Sequence, residues 1–155
     1  MTRTARFSLD GIVERDALAA APFLLGATLS VLGPTTAVSV RLTEVEAYLG
    51  EHDPGSHAFR GRTARNSSMF EAGGRIYVYS IYGMHHCANI VCGPAGSASA
   101  VLLRAGEVTR GVEAARARRP RAQRDTDLAR GPARLCTALG LTREDDGALL
   151  GEAGG

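Results

Sequence analysis

Arg41-Leu42-Thr43-Glu44-Val45-Glu46-Ala47-Tyr48-Leu49-Gly50 puts two carboxylates and an aromatic ring at the end of an otherwise apolar segment. Upstream, Val38, Val40 and Leu42 alternate with Ser39, Arg41 and Thr43, the two-residue period of a strand with one buried face. Extending that count sets Glu44 and Glu46 on the face of the valines. An ionised carboxylate on a core-directed face is costly unless it is paired or has a chemical task. The competing reading ends the strand at Thr43 and leaves both acids solvated in a loop.

Before this stretch, residues 27–32 and 37–46 read as an antiparallel pair joined by the turn Gly33-Pro34-Thr35-Thr36. Asp16 caps a helix to about Leu25, ended by Gly26, with Pro22 early in it or kinking it. Residues 1–15 are expected to form an edge segment of mixed charge. After the stretch comes a polar run, residues 51–68, which contains Asp53-Pro54-Gly55-Ser56-His57 and Arg60, Arg62 and Arg65. A loop of that length inside a domain signals function or disorder.

Residues 75–81 and 86–92 read as strands linked by Tyr82-Gly83-Met84-His85, and residues 97–105 as a further strand with Arg104 at its end. A basic helix is expected over 107–119, with Arg110, Arg116, Arg118 and Arg119, broken at Pro120. A last short helix runs from Gly131-Pro132 to about Gly140. The glycine-rich residues 147–155 are expected to fray. The pattern predicts an α+β fold in a single domain over 1–155, with an antiparallel curved β-sheet, a protruding β-hairpin and flanking short helices.

Composition narrows the chemistry. With 155 residues, 45% hydrophobic, and mean hydropathy of -0.05, the chain reads as one globular domain. Its net charge of +2 does not by itself announce a nucleic-acid partner. All 18 basic residues are arginine. Without lysine there is no side-chain amine for a Schiff base, leaving only the N-terminal amine, and no Walker A phosphate loop. Arginine suits bidentate phosphate contacts, although a GC-rich coding bias explains the excess equally well.

Cys87, Cys92 and Cys136 are odd in number and lack framework spacing, which fits reduced thiols in the cytoplasm. Residues 17–40 carry no charge, but Pro22, Gly26 and Gly33-Pro34 interrupt them, and Asp10, Glu14 and Asp16 spoil a basic leader. Neither a membrane span nor a secretory leader is expected. His52, His57, His85, His86, Cys87 and Cys92 are metal-ligand types without metal-ligand spacing, so no metal and no cofactor are expected.

The four tyrosines are Tyr48, Tyr77, Tyr79 and Tyr82. Tyr77 and Tyr79 share a strand face, where ordinary core packing is the plain explanation. Tyr82 sits beside Gly83 at the hairpin tip, and an aromatic exposed there suggests a wedge or contact surface.

Taken in order, Thr43-Glu44-Val45-Glu46-Ala47-Tyr48-Leu49-Gly50, Ser56-His57, Arg65-Asn66, Met69-Phe70, the run from Gly74-Arg75-Ile76 to Tyr82-Gly83-Met84, Asn89-Ile90 and Val101-Leu102-Leu103-Arg104-Ala105 resemble the alkyladenine (3-methyladenine) DNA glycosylase family. Gly131-Pro132 with Leu135-Cys136 and Ala138-Leu139-Gly140 is similar to that family's late helix. The resemblance covers about residues 24–141. It implies a monofunctional enzyme of base-excision repair that flips alkylated or deaminated purines from duplex DNA and hydrolyses the N-glycosidic bond. Glu46 matches the acid that activates water, and Glu44 supports it. Tyr48, His57 and Tyr79 match the walls around the extruded base, and Asn89 the position that disfavours guanine's exocyclic amine. Tyr82 matches the wedge, flanked by Met84, and Arg104 a phosphate-facing arginine; Arg62 and Arg65 are expected DNA contacts. The implied partner is double-stranded DNA containing damaged purines, bound by a monomer at the bacterial nucleoid.

Two departures stand out. His85-His86 occupy positions where an aromatic and an apolar residue are more familiar. Family members also continue with strands that complete the sheet and one side of the DNA groove, so a shortened member or a truncated sequence is expected. The alternatives to the enzyme are a non-catalytic DNA-binding remnant of the same fold and a metal-dependent hydrolase using the His/Cys cluster.

Overall fold

The strand that opens at Ala37 runs on past Thr43. In this computed structural model, which describes residues 5–6 and 11–151, it forms β3 (Ala37–Leu49). β2 (Thr28–Leu32) lies antiparallel on one side, across a turn in which the Gly33 amide donates to the Thr36 carbonyl at 3.1 Å. β6 (Ser99–Arg110) lies antiparallel on the other, followed by β5 (His85–Cys92) and β4 (Ile76–Ile81). β1 (Ala5–Arg6) and β7 (Leu150–Gly151) complete the order β4-β5-β6-β3-β2-β1-β7. Every neighbouring pair is antiparallel except β1 with β7. The three helices are α1 (Ala17–Leu24), α2 (Val112–Arg118) and α3 (Pro132–Leu139).

A register slip decides which way the acids point. Pairing of β3 with β6 is irregular between Leu42 and Glu44 and again between Glu44 and Val45. Before the slip Val38, Val40 and Leu42 are core residues; beyond it Val45, Ala47 and Leu49 pack against that same core. A bulge inserts one unpaired residue and so reverses strand parity. Glu46 and Tyr48 therefore fall on the opposite face, which overturns the expectation that Glu44 and Glu46 share the valine face. The loop alternative fails too, because both acids lie within the strand. Opposite the slip, Gly106 lets the strands close: a Cβ there would sit 2.2 Å from Val40 Cγ1 and 2.7 Å from the Arg41 carbonyl oxygen.

The sheet is covered on both sides. On one, α1, α2 and α3 bury Leu24, Ala115, Leu135 and Leu139 against Leu29, Val40, Ile76, Ile90 and Leu103. On the other, the segment after β3 brings Ala58, Met69 and Phe70 onto Tyr77, Val91 and Ala100 in a smaller cluster. This second, thinner layer borders the candidate site.

Other differences from the sequence reading have local causes. Residues 107–110 belong to β6, not to a helix, since β3 offers Ser39, Val40 and Arg41 as partners and Arg41 forms an ion pair with Glu107. The β-branched Val108 and Thr109 favour that choice. α2 starts only after Gly111, whose φ of 73° turns the chain. Gly147 and Leu150, expected to fray, donate to the Ile76 and Gly74 carbonyls at 2.8 and 2.7 Å; residues 152–155 lie outside the described residues. Of the expected edge segment, Ala5–Arg6 joins the sheet between β2 and β7, while residues 1–4 and 7–10 lie outside the description. Asp16 caps α1, accepting from the Ala19 amide at 2.9 Å, and Gly140, at φ 74°, ends α3. All three cysteines are free and buried. Among the described residues no helix is long and apolar enough to cross a membrane.

Gly106→Ala forces the Val40 side chain and the Arg41 carbonyl apart. It is expected to cost about 1–3 kcal/mol of stability, the range for overpacked sites, measured by urea unfolding. Unchanged stability would mean that the strands separate freely there.

Candidate active site

Cross-strand register assembles the site. Tyr77 pairs with Asn89, Asn89 with Leu102, and Leu102 with Glu46. Directly opposed residues share a face, so one row across four strands carries Tyr77, Asn89 and Glu46. Tyr48 and Tyr79 follow two residues further along their strands.

Glu46 is held from two sides. Its Oε1 accepts a short hydrogen bond from the Tyr48 hydroxyl, and its Oε2 accepts from Arg104 Nη1 at 2.9 Å. Arg104 Nε donates to Glu44 Oε1 at 2.8 Å, so one guanidinium bridges both acids. The Glu46 side chain retains 43% exposure, enough to meet a substrate or a water. Burial first, and the bond to Glu46 second, push the Tyr48 phenol up to about 12. At neutral pH it is therefore a hydrogen-bond donor.

Beside this carboxylate lies a cleft of about 280 Å³ counting its open mouth, lined by Tyr48, Gly55, Ser56, His57, Met69, Tyr77, Tyr79 and Asn89. His57 meets Tyr79 edge-on, centroids 4.4 Å apart at 72°, and Tyr79 leans on Tyr77 at 5.6 Å and 34°. His57 Nδ1 lies 3.2 Å from the Tyr77 hydroxyl. Burial, then the Arg65 charge, lower the His57 pKa, which keeps the ring neutral at pH 7. Burial also raises Tyr77 to about 12. The lining is thus aromatic and uncharged. Asn89 is buried, its Nδ2 donating to the Tyr77 carbonyl at 3.4 Å.

Two residues that the sequence reading gave no role hold the loop. Asn66 is buried; its Nδ2 donates to the His57 and Gly61 carbonyls, each at 3.1 Å, and its Oδ1 accepts from the Thr63 amide at 2.7 Å. Asp53 accepts from the Leu49 and Gly55 amides at 3.2 and 2.9 Å. Asn and Asp in a turn-rich stretch were the available signal, but only the fold reveals what they fasten. Tyr77, read as an ordinary core aromatic, is buried and also lines the cleft.

The hairpin tip projects. Tyr82 and Gly83 have φ of 52° and 68°, and the Met84 amide donates to the Ile81 carbonyl at 3.2 Å. Successive left-handed residues form the tight turn that matches strand twist. Tyr82 is 93% and Met84 76% exposed. The expected arginine contacts are exposed, and each has a partner within the protein. The Arg62 guanidinium lies 5.9 Å from the centre of the Phe70 ring and 3.5 Å from Glu71, while Arg65 Nη2 donates to the Ser80 carbonyl at 2.9 Å. Among the described residues no three His, Cys, Asp or Glu side chains converge as metal ligands.

Comparison with known proteins places the chain. The model of the methylpurine-DNA glycosylase (MPG) family matches residues 11–154. A protein of Streptomyces avermitilis, provisionally named a 3-methyladenine DNA glycosylase, is 59% identical over 133 residues, covering 86% of this chain and 62% of its own. Proteins of the same name from Leifsonia xyli and Frankia casuarinae are 55% and 56% identical, covering 86% and 92% of this chain and 65% and 64% of theirs. The chain thus spans less than two thirds of these relatives' length. With the family's model matched over nearly all of its length, the chain belongs to the methylpurine-DNA glycosylase family.

Proposed function

We propose that this chain carries the excision site of a monofunctional DNA glycosylase, which removes alkylated or deaminated purines from duplex DNA in base-excision repair. The observation that carries the reading is the Glu46 carboxylate, held by Tyr48 and Arg104 at the rim of an aromatic cleft. With Tyr48 lining the cleft and bonded to Glu46, a purine flipped against the walls carries its sugar towards that carboxylate.

There Glu46 takes a proton from a water as the water oxygen bonds to the sugar C1′. The C1′–N bond breaks, and its electron pair leaves with the purine. The carboxylate also stabilises positive charge developing on the sugar. A cationic alkylpurine is neutralised by that departure and needs no acid. Its charge also favours the electron-rich faces of Tyr48 and Tyr79, by about 1–2 kcal/mol per ring when desolvated. Asn89 disfavours guanine's exocyclic amine. Tyr82, with Met84 beside it, fills the gap left by the flipped nucleotide, and the unstacking costs least at a damaged pair. Lacking lysine, the chain has no side-chain amine for strand-cleaving lyase chemistry. It acts as a monomer without a cofactor, at the bacterial nucleoid.

Excision is assayed on duplex carrying hypoxanthine or etheno-adenine, with abasic sites revealed by alkali. Glu46→Gln should abolish excision in chelator while leaving DNA binding intact. Activity that chelator removes would favour a metal-dependent hydrolase. Binding without excision by the unmutated chain would favour a non-catalytic remnant.

Tyr48→Phe removes a hydrogen bond to a charged acceptor, worth about 1.5–3 kcal/mol. Single-turnover excision should slow by roughly tenfold to a hundredfold; an unchanged rate would deny the hydroxyl a part in holding Glu46. His57 has its own signature. Protonation sets a positive ring against a cationic base, so excision of N7-methylguanine should fall as pH drops through the lowered His57 pKa. Arg65→Gln removes one cause of that lowering, and the NMR titration midpoint of His57 should move up. A midpoint that stays put would leave burial as the whole cause.

A further inference from the structure

The loop over the cleft carries one arginine without a partner among the described residues and one large exposed hydrophobic side chain, and that arginine is not one of the expected DNA contacts. Arg62 and Arg65 are engaged within the protein by Glu71, Phe70 and the Ser80 carbonyl. Arg60, between them and the cleft residue His57, is exposed, and among the described residues it has no ion pair, hydrogen bond or ring contact. The Glu51 carboxylate reaches the neighbourhood of Gly61 but makes no ion pair with Arg60. Phe59 is 47% exposed.

Their outward direction is fixed by the turn. The Phe59 amide donates to the Ser56 carbonyl at 3.1 Å and the Gly61 amide to the Ala58 carbonyl at 2.9 Å. Ala58 is fully buried, and Asn66 Nδ2 ties the His57 and Gly61 carbonyls together. The turn is therefore clamped at both ends and anchored in the middle, with Phe59 and Arg60 left on its outer side. His57 lines the cleft on this loop, as Tyr79 does on the strand leading to Tyr82 and Met84. Phe59, Tyr82 and Met84 are exposed apolar groups carried by elements that line the cleft. The other unpartnered arginines among the described residues, Arg110, Arg121 and Arg134, lie on or beside α2 and α3, the elements that cover the other face of the sheet.

We propose that Arg60 binds a backbone phosphate of duplex DNA, with Phe59 packed on the adjoining sugar. This makes the turn a second grip on the strand beside the cleft, in addition to the Tyr82 hairpin. The inference rests on the glycosylase reading above. An unpaired guanidinium offers all its N–H donors to a phosphate, whereas Arg62 shares its charge with Glu71 and Arg65 already spends one donor on the Ser80 carbonyl.

The test is fluorescence anisotropy of an undamaged duplex across a salt series, for the unmutated chain, Arg60→Ala, Arg60→Lys, Phe59→Ala and Arg121→Ala. Loss of one phosphate contact lowers the slope of log affinity against log salt by about 0.9. Arg60→Ala should show that loss together with weaker binding, and Arg60→Lys should restore the slope. Phe59→Ala should weaken binding with the slope unchanged, and Arg121→Ala should alter neither. Arg60→Ala with the parent's affinity and slope overturns this proposal alone, provided the unmutated chain binds and excises. So does an equal loss in Arg121→Ala. If the unmutated chain binds no duplex, this proposal and the reading beneath it fall together.

Discussion

The structure depends on a slip of register between β3 and β6 at Leu42–Glu44. A strand of unbroken alternation starting from Val38 would drive the Glu46 carboxylate into the helical core. A buried, unpaired carboxylate costs several kcal/mol and ordinarily escapes by protonation. The bulge avoids this by exchanging faces. Val45, Ala47 and Leu49 continue the core, while Glu46 and Tyr48 are delivered to the aromatic face. Gly106 makes that exchange possible, because no side chain fits between β6 and the backbone of β3 there.

From this placement the electrostatics follow. Arg104 answers both Glu44 and Glu46, so the two acids share a counter-charge without either becoming buried. Tyr48 closes the other side of Glu46, and the uncharged rings of His57, Tyr77 and Tyr79 stand beside it. An anionic group at the edge of an electron-rich, neutral cleft suits a reaction in which positive charge leaves the base and builds on the sugar. The covering loop needs its own fasteners, Asp53 and Asn66, because its apolar cluster is small. Motion of that loop would move His57, and with it one wall of the cleft.

Much of this could be read from the chain. The period of 38–42, the turn at Gly33-Pro34, the Tyr82-Gly83 tip and the Asp16 cap each act over a few residues, and each appears where local chemistry puts it. What could not be read depends on partners distant in sequence. The bulge exists only because β6 meets β3, and residues 107–110 are strand for the same reason. The partnering of arginines is likewise tertiary: Arg62 and Arg65, the expected DNA contacts, pair with Glu71 and the Ser80 carbonyl, while Arg60 has no partner among the described residues. The family resemblance singled out Glu46 from Glu44, but the face it points to could not be read from the chain.

The central claim is that Glu46 stands where positive charge forms on a flipped sugar. Competition binding between two otherwise identical duplexes tests it directly. One carries a neutral tetrahydrofuran abasic site; the other carries a cationic pyrrolidine ring in its place, which mimics the charged sugar. Tighter binding of the pyrrolidine duplex, with the preference lost in Glu46→Gln, is the predicted result. Equal affinity of the unmutated chain for the two duplexes would contradict the account.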